Sequence, residues 1–196
     1  SGFAPQYSFH RLLVAPRSIR PELLSKIDRE IENKKLGQHA FIRLKLNSLL
    51  DEDFVEALYK ASIAGVEIDL VIRGICALRP GIPGVSENIR VRSVLGRFLE
   101  HSRIFHFANG GDDEIYIGSA DLMDRNLNRR VESLVKITRA EHKKALIEIF
   151  DQYVSSNTAA SHLLPTGKWL KVDKDANGTK LLDLQAMMID SYRANI

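Results

Sequence analysis

A histidine and an arginine two positions apart, His101 and Arg103, are the residues whose types and spacing best suit phosphate chemistry. On an extended segment, side chains two positions apart point to the same face, so the imidazole and the guanidinium are expected side by side. An imidazole exchanges a proton near neutral pH, and a guanidinium holds phosphate oxygens by paired hydrogen bonds. The pair therefore predicts a site that binds or attacks a phosphoryl group.

A second polar group follows on the next predicted strand and consists of Gly118, Ser119 and Asp121. A glycine-serine turn at a strand end presents a hydroxyl and backbone N–H groups to the same phosphate oxygens. For Asp121 two interpretations stay open: it orients the phosphate, or it caps the helical turn that comes after it. Glu132 lies further along the chain, and we expect its carboxylate to fix the tautomer of the His101 imidazole.

The distribution of cationic residues also indicates an anionic ligand. No lysine occurs between Lys60 and Lys136, although that stretch is rich in arginine. A guanidinium grips phosphate or carboxylate oxygens with two parallel hydrogen bonds, whereas an ammonium is a hydrated point charge. Any single arginine is most simply explained by an ion pair with a nearby acid, but the set as a whole favours a phosphate ligand. Its members are Arg73, Arg79, Arg90, Arg92, Arg97, Arg103, Arg125, Arg129 and Arg130.

Composition limits the classes of protein to which the chain can belong. With 44% hydrophobic and 27% charged residues, the sequence predicts a packed domain rather than a disordered one. A net charge of +3 argues against a polybasic nucleic-acid coat, and the apolar runs are too short to cross a bilayer. The lone Cys76 excludes an internal disulfide and fits the reducing cytosol. The other histidines lack acidic companions at metal-ligand spacing, so no metal site is expected within this chain.

Hydrophobic periodicity predicts an α/β fold, a mixed β-sheet flanked by helices. Strands are predicted at 12–15, 40–46, 66–72, 89–94, 103–107, 114–117, 130–137 and 168–172, and helices at 19–36, 51–64, 140–154 and from 181 onward. A rigid loop rich in proline and glycine covers 74–88, a hairpin turn covers 109–112, and a polar link covers 155–161. We divide the chain into a catalytic domain, 1–154, and a strand–helix appendage of the same domain, 155–196.

Several long runs of the sequence resemble bacterial polyphosphate kinases. These runs are 45–49, 68–76, 78–93 and 96–103, and the similarity continues through 118–121 to Glu132 before it fades after about residue 154. Motifs of this length are far more specific than a single glycine-rich pattern. The resemblance implies reversible transfer of the terminal phosphate of ATP to inorganic polyphosphate, with ADP as the other product.

The same resemblance implies a division of labour between domains. The phosphorylated histidine and the ligands of the Mg²⁺ that accompanies ATP belong to a preceding domain that is absent here. We therefore expect a piece of a longer cytoplasmic enzyme that is homo-oligomeric at full length, does not bind nucleic acid, and is inactive as this fragment. On the matching positions, Arg73 and His101 contact the nucleotide phosphates, with His101 as general acid or base. Secondary contacts that guide the polyanion are expected from Arg79, Arg103 and Arg130.

A looser similarity links the chain to the phospholipase D superfamily, in which His-x-Lys is followed by Gly-Ser-x-Asn. Here Arg103 stands in place of the lysine and Asp121 in place of the asparagine. The fold implied is a phospholipase D-like half. Two alternatives to the kinase remain open: a phosphodiesterase half-site that pairs across a dimer, and a non-enzymatic module that binds polyanions.

Overall fold

The computed structural model describes residues 9–193 and places their strands in one sheet. In chain order the strands are β1 (Leu12–Val14), β2 (Phe41–Leu46), β3 (Glu67–Ile72), β4 (Ile89–Ser93), β5 (Ile104–Phe107), β6 (Glu114–Gly118), β7 (Ser133–Ile137), β8 (Ala160–Leu163) and β9 (Trp169–Val172). The helices are α1 (Ile19–Lys35), α2 (Glu52–Ile63), α3 (Ala140–Val154) and α4 (Leu184–Arg193). None of these helices is long and apolar enough to cross a membrane.

The sheet is mixed, as predicted, and its strand order is β1-β7-β6-β5-β2-β3-β4-β8-β9. The central strands β2, β3 and β4 are parallel neighbours, because each of the first two is followed by a crossover connection. All other neighbours are antiparallel. The prediction of a mixed sheet flanked by helices is therefore confirmed.

Helices cover both faces of the sheet. Successive side chains of a strand point to opposite faces, so the central strands contribute to a core on each side. On β3, Leu70 and Ile72 belong to the large core that also contains residues of α1 and α2. Val71, which lies between them, belongs to a second core with Phe150 of α3 and Leu184 of α4. A continuous apolar run such as β3 is typical of a strand buried on both sides.

Helix ends follow the local signals in the sequence. Pro21 lies in the first turn of α1, where its missing N–H costs no intrahelical hydrogen bond. Gly65 follows α2 with a φ of +88°, a left-handed conformation that stops the helix and that glycine adopts without steric strain. The predicted helix 140–154 coincides with α3, and the predicted turn 109–112 joins β5 to β6.

The C-terminal part differs from the prediction. The segment 155–161 is not entirely a polar link, because β8 begins at Ala160 and pairs with β4, and β9 then pairs with β8. Ser161 and His162 lie in β8, and their polar side chains hide the strand from hydrophobic periodicity. The last helix begins at Leu184 rather than at 181, since Leu182 still forms a parallel bridge with Thr158. The division of the chain at residue 154 stays a prediction.

Candidate active site

Strand direction brings the polar residues of the sequence to one edge of the sheet. Because β5 runs antiparallel to β2, the start of β5 lies beside the end of β2, where Lys45 pairs with Ile104. The end of β6 reaches the same edge, where Ile117 pairs with Ile104. The carboxyl end of β3 lies there too, since β3 is parallel to β2. Side chains that follow or precede these strand ends therefore meet, as expected for a ligand site of an open α/β sheet.

A cavity of about 670 Å³ lies at this edge. Both Arg73 and His101, the residues predicted to contact nucleotide phosphates, line it. The structure thus brings together two side chains that the loop 74–88, β4 and the segment after it separate in sequence. The complete lining consists of Asn47, Ser48, Arg73, His101, Arg103, Gly118, Ser119, Asp121, Met123, Arg125, Asn126, Arg130 and Glu132.

Asp121 is the buried centre of the cavity wall. Its Oδ1 accepts hydrogen bonds from the backbone N–H groups of Asn47, at 2.7 Å, and Ser48, at 3.2 Å. Its Oδ2 accepts from Arg103 Nη2 at 2.8 Å. Burial raises the pKa of the Asp121 carboxyl, but the hydrogen bond and the charge of Arg103, together with the Asn47 contacts, outweigh burial and hold the pKa below its usual value. The carboxylate therefore does not cap the turn after it; it joins the end of β2 to the start of β5.

The predicted pairing of His101 with Arg103 is present in the structure. Arg103 Nη1 lies 2.9 Å from His101 Nδ1, and the same nitrogen donates to the His101 carbonyl oxygen at 2.7 Å. A second contact, from Nη2 to Nε2, is longer at 3.4 Å. Because a guanidinium only donates hydrogen bonds, Nδ1 is the acceptor in the closer contact. Arg103 is 8% exposed, whereas the imidazole is open to solvent.

Glu132 does not take the role that the sequence suggested for it. Its Oε1 accepts a hydrogen bond of 2.6 Å from Asn126 Nδ2, and the described residues give it no bond to the imidazole. The group that contacts the imidazole nitrogens is Arg103 instead. Glu132 thus holds the wide helical turn Arg125–Arg129 against the start of β7.

Arg73 follows β3 and is half-buried. Its Nε donates to Asn47 Oδ1 at 2.8 Å. Among residues 9–193 its Nη groups have no hydrogen-bond or ion-pair partner, and the side chain lines the cavity. Asn47 Nδ2 also donates to Asp121 Oδ2 at 3.2 Å. A continuous hydrogen-bond path thus runs from Arg73 through Asn47 and Asp121 to Arg103 and the ring of His101.

The remaining predicted arginines occupy three different environments. Arg130 lines the cavity and is exposed, with no side-chain ion pair inside the described range. Arg103 also lines the cavity, but its charge is already paired with Asp121. Arg79 is exposed and is absent from the lining; its guanidinium lies against Gly167 instead. From the sequence, Asn47 with Ser48 is only an alternative to Asp51 as the cap of α2, and Asp51 occupies the cap position. A polar residue directly after a buried strand was the available signal for its place in the site.

The carboxylates of this cavity do not suit a metal ion. Asp121 is occupied by two backbone N–H groups and by Arg103, and Glu132 is occupied by Asn126. Across residues 9–193 no group of three or more histidine, cysteine, aspartate or glutamate side chains is arranged to hold a cation.

Comparison with known proteins identifies the family. Residues 12–183 match the family model described as polyphosphate kinase C-terminal domain 2. This chain belongs to the polyphosphate kinase family. A polyphosphate kinase of Streptomyces coelicolor is 52% identical over 193 residues, which cover 98% of this chain and 26% of the relative. The chain thus spans about a quarter of the length of the curated polyphosphate kinases that it matches.

Solved structures agree with this placement. A crystal structure of polyphosphate kinase from Porphyromonas gingivalis aligns with a TM-score of 0.87 at 37% identity, over 97% of this chain and 29% of that one. Nuc from Salmonella typhimurium, a phospholipase D family member, aligns with a TM-score of 0.52 at 19% identity, over 72% of this chain and 90% of that one. The second likeness concerns the fold alone, and it confirms the predicted phospholipase D-like half.

Proposed function

We propose that this chain is the C-terminal part of an ATP:polyphosphate phosphotransferase and that its cavity binds the phosphates of the nucleotide and of the polyphosphate chain. The observation that carries the proposal is that Arg73 and His101 line one cavity, and that the Arg73 Nη groups have no hydrogen-bond or ion-pair partner among residues 9–193. Membership of the polyphosphate kinase family supports the choice of substrate.

Phosphoryl transfer depends on in-line placement and on cations around the moving oxygens more than on covalent help from the protein. In this cavity Arg73 and Arg130 supply guanidinium groups that are not neutralised by acids within the described chain. Arg125 lines the same space and is exposed. Guanidinium groups that converge on one space suit the equatorial oxygens of a transferring phosphoryl group.

His101 would act as a general acid or base at the reacting oxygen. Its Nδ1 makes the closer contact with Arg103, and the ring is exposed at the cavity, where Nε2 is the nitrogen better placed for a phosphate oxygen. In the forward direction the P–O bond to ADP breaks while a bond forms between the γ-phosphorus and a histidine nitrogen in the missing domain. A terminal polyphosphate oxygen then attacks that phosphorus and regenerates the histidine. In this scheme His101 donates a hydrogen bond or proton to the leaving oxygen.

The experiment uses the full-length enzyme that contains this chain, assayed for polyphosphate synthesis from labelled ATP. We expect His101→Ala to lower kcat by about a thousand-fold, in the range known for lost acid–base catalysis, with an unchanged unfolding midpoint. The matched control is His142→Ala, because His142 is exposed on α3 and lies outside the cavity. Synthesis by His101→Ala at the rate of the control would contradict the assignment.

The same variants separate the alternatives when phosphodiester cleavage and polyphosphate binding are measured beside synthesis. A phosphodiesterase half-site predicts cleavage of a phosphodiester substrate that His101→Ala abolishes, with no transfer to polyphosphate. A non-enzymatic polyanion-binding module predicts salt-sensitive polyphosphate binding that His101→Ala leaves intact and no turnover in any form. For the 196-residue chain alone we expect no synthesis and no self-phosphorylation, because the phosphorylated histidine lies in the missing domain.

We further infer the setting in which the site works. The other domains of the same polypeptide are the partners, since the chain spans about a quarter of its relatives, and the full-length enzyme is a homo-oligomer that does not bind nucleic acid. A cytoplasmic location is supported by the single Cys76, which is half-buried and free. Burial raises the pKa of the Cys76 thiol to about 11, so the thiol stays protonated and unreactive.

A further inference from the structure

The segment that leads into His101, residues 95–102, has no regular secondary structure. Within the described chain it forms no backbone-to-backbone hydrogen bond with any other segment. Several of its apolar side chains, including Leu95, Phe98 and Leu99, are exposed rather than packed in a core. A segment with so few backbone and core contacts would fluctuate locally unless side chains from elsewhere held it.

One such side chain is Gln185 of α4, which is 7% exposed. Its Oε1 accepts from the backbone N–H of Phe98 at 2.8 Å, and its Nε2 donates to the Phe98 carbonyl at 2.9 Å. The amide thus satisfies both backbone groups of one residue, as a neighbouring strand would do. Nε2 also donates to Glu100 Oε1 at 2.8 Å.

Glu100 links Gln185 to the residues that flank His101. Its Oε2 accepts from the Tyr153 hydroxyl at 2.7 Å and lies 3.2 Å from Lys45 Nζ. Lys45 in turn donates to Ser102 Oγ at 2.8 Å and to the Ser102 carbonyl at 3.2 Å. Positions 98, 100 and 102 are therefore all anchored, and His101 lies between two of them.

The carboxylate of Glu100 is ionised in this network. Burial raises its pKa, but the hydrogen bonds from Tyr153 and Gln185 and the charge of Lys45 outweigh burial and hold the pKa below its ordinary value. Burial also lowers the pKa of the Lys45 ammonium, against the opposing effect of Glu100. Glu100 and Lys45 thus form a buried ion pair, and their directional hydrogen bonds to Tyr153, Gln185 and Ser102 fix the position of the segment.

Gly96 lies against the same amide from the other side. A Cβ built on Gly96 would fall 2.3 Å from Gln185 Oε1 and 2.4 Å from its Cδ, well inside van der Waals contact. An alanine at this position would therefore push the Gln185 side chain out of its bonds with Phe98. Gly96 thus gives an independent way to break the same contact.

We propose that Gln185 is a positioning residue, which fixes the segment bearing His101 and so aligns the imidazole for phosphoryl transfer. The proposal rests on the function proposed above for the same cavity. Gln185 touches neither the cavity lining nor the imidazole, and it acts through Phe98 and Glu100. The C-terminal helix thereby becomes part of the catalytic apparatus of the domain.

The test compares Gln185→Ala, Gly96→Ala and His101→Ala with wild type in the full-length enzyme. The control is Asp190→Ala, because Asp190 is exposed on the same helix. We expect Gln185→Ala and Gly96→Ala each to lower kcat per folded molecule by about ten-fold or more, as small misplacements of a reacting group do. KM for ATP should change by less than about two-fold, because Arg73 is held by Asn47 and not by this segment.

Amide hydrogen exchange tests whether Gln185 holds this one segment. Loss of a residue that supports only the overall stability of the domain would not change exchange in residues 97–101 selectively. In both variants exchange of residues 97–101 should accelerate by about ten-fold or more while α1 and β3 exchange as in wild type. If Gln185→Ala does not fold, Gln185→Glu decides, since it keeps the shape but places a carboxylate against Glu100 and cannot donate to Phe98. If His101→Ala is inactive but the folded Gln185 and Gly96 variants show a normal kcat or unchanged exchange, the positioning role is overturned and the proposed function stands. A fully active His101→Ala would overturn the proposed function instead.

Discussion

Asn47 and Asp121, which are 74 positions apart, are joined by two hydrogen bonds, one from the Asn47 backbone N–H and one from its side-chain amide. The amide oxygen of Asn47 accepts from Arg73, while Asp121 accepts from Arg103. Arg73 and Arg103, two of the four arginines that line the cavity, are thus held in one network and cannot shift independently. This kind of preorganisation removes the cost of arranging donors during the reaction.

Substitution of Asp121 tests that network. Asp121→Asn keeps the shape but removes the charge that pairs with Arg103, whose guanidinium is 8% exposed. Because an unpaired buried charge is costly, we expect the free energy of unfolding to fall by about 3 kcal/mol. Urea denaturation measures the loss, with Asp190→Asn as the exposed control. A change as small as that of the control would show that the ion pair contributes little.

Arg73 should not tolerate replacement by lysine. Its guanidinium donates to Asn47 through Nε and leaves both Nη groups free of partners within residues 9–193, and an ammonium at the end of a flexible chain cannot hold Asn47 and a ligand in the same way. We expect Arg73→Lys to lower kcat/KM for ATP by about ten-fold or more, the loss of roughly one charge-assisted hydrogen bond. Steady-state kinetics of the full-length enzyme at constant ionic strength measure the effect. Wild-type kcat/KM in Arg73→Lys would mean that charge alone suffices.

Arg130 and Arg79 form a matched pair for polyphosphate binding. Both are exposed, but only Arg130 lines the cavity. In the reverse reaction, from polyphosphate and ADP to ATP, we expect Arg130→Ala to raise KM for polyphosphate by about ten-fold at low salt and less at high salt, because screening weakens the contact. Arg79→Ala should behave as wild type. Equal effects of the two substitutions would indicate that the polyanion also runs over the loop 74–88.

Glu114 should make the stability of the domain depend on acidity. Burial raises its pKa, but hydrogen bonds from Lys136, Arg29 and Tyr116 and the charge of Lys26 outweigh burial and lower the pKa to about 2. A carboxyl whose pKa is depressed in the folded state stabilises it above the unfolded value of 4.5, and that contribution is lost as the pH falls toward 2.

The measurement for Glu114 is urea unfolding at several values between pH 6 and pH 3. In wild type the free energy of unfolding should fall over this range, with at most about 3 kcal/mol due to this one group. Glu114→Gln should be less stable at pH 6 and should show a flatter profile. Parallel profiles for wild type and variant would place the acid sensitivity in other carboxylates.

Much of the fold could be predicted from the sequence because the strongest elements carry local signals. The run of β3 is apolar throughout its buried half, and α3 has the periodicity and length of a surface helix, so both were located within a residue or two. Strand β8 was not predicted, because an outer strand with Ser161 and His162 shows no alternation that distinguishes it from a link. This strand forms because it pairs with β4, and hydrophobic periodicity contains no information about such pairing.

The site was predictable in part for a related reason. His101 and Arg103 are close in sequence, so their contact follows from local geometry alone. The contacts of Asp121 with Asn47, and of Gln185 with Phe98, join segments 74 and 87 positions apart. Such contacts depend on strand order and helix packing, which residue spacing does not encode. The prediction that Glu132 fixes the tautomer of His101 is wrong for the same reason. The partner of Glu132 is Asn126, which lies in a turn whose shape is set by packing.

The pairing of β8 with β4 also bears on how the domain can be produced. A protein shortened to end after α3 would uncover the edge of β4 at Arg92 and Ser93, where β8 pairs with it. Uncovered rims of this kind recruit strands from other molecules and lead to intermolecular sheets. Expression trials that stop near residue 154 should therefore yield precipitate or ill-defined multimers, whereas trials that retain β8 and β9 keep that rim covered.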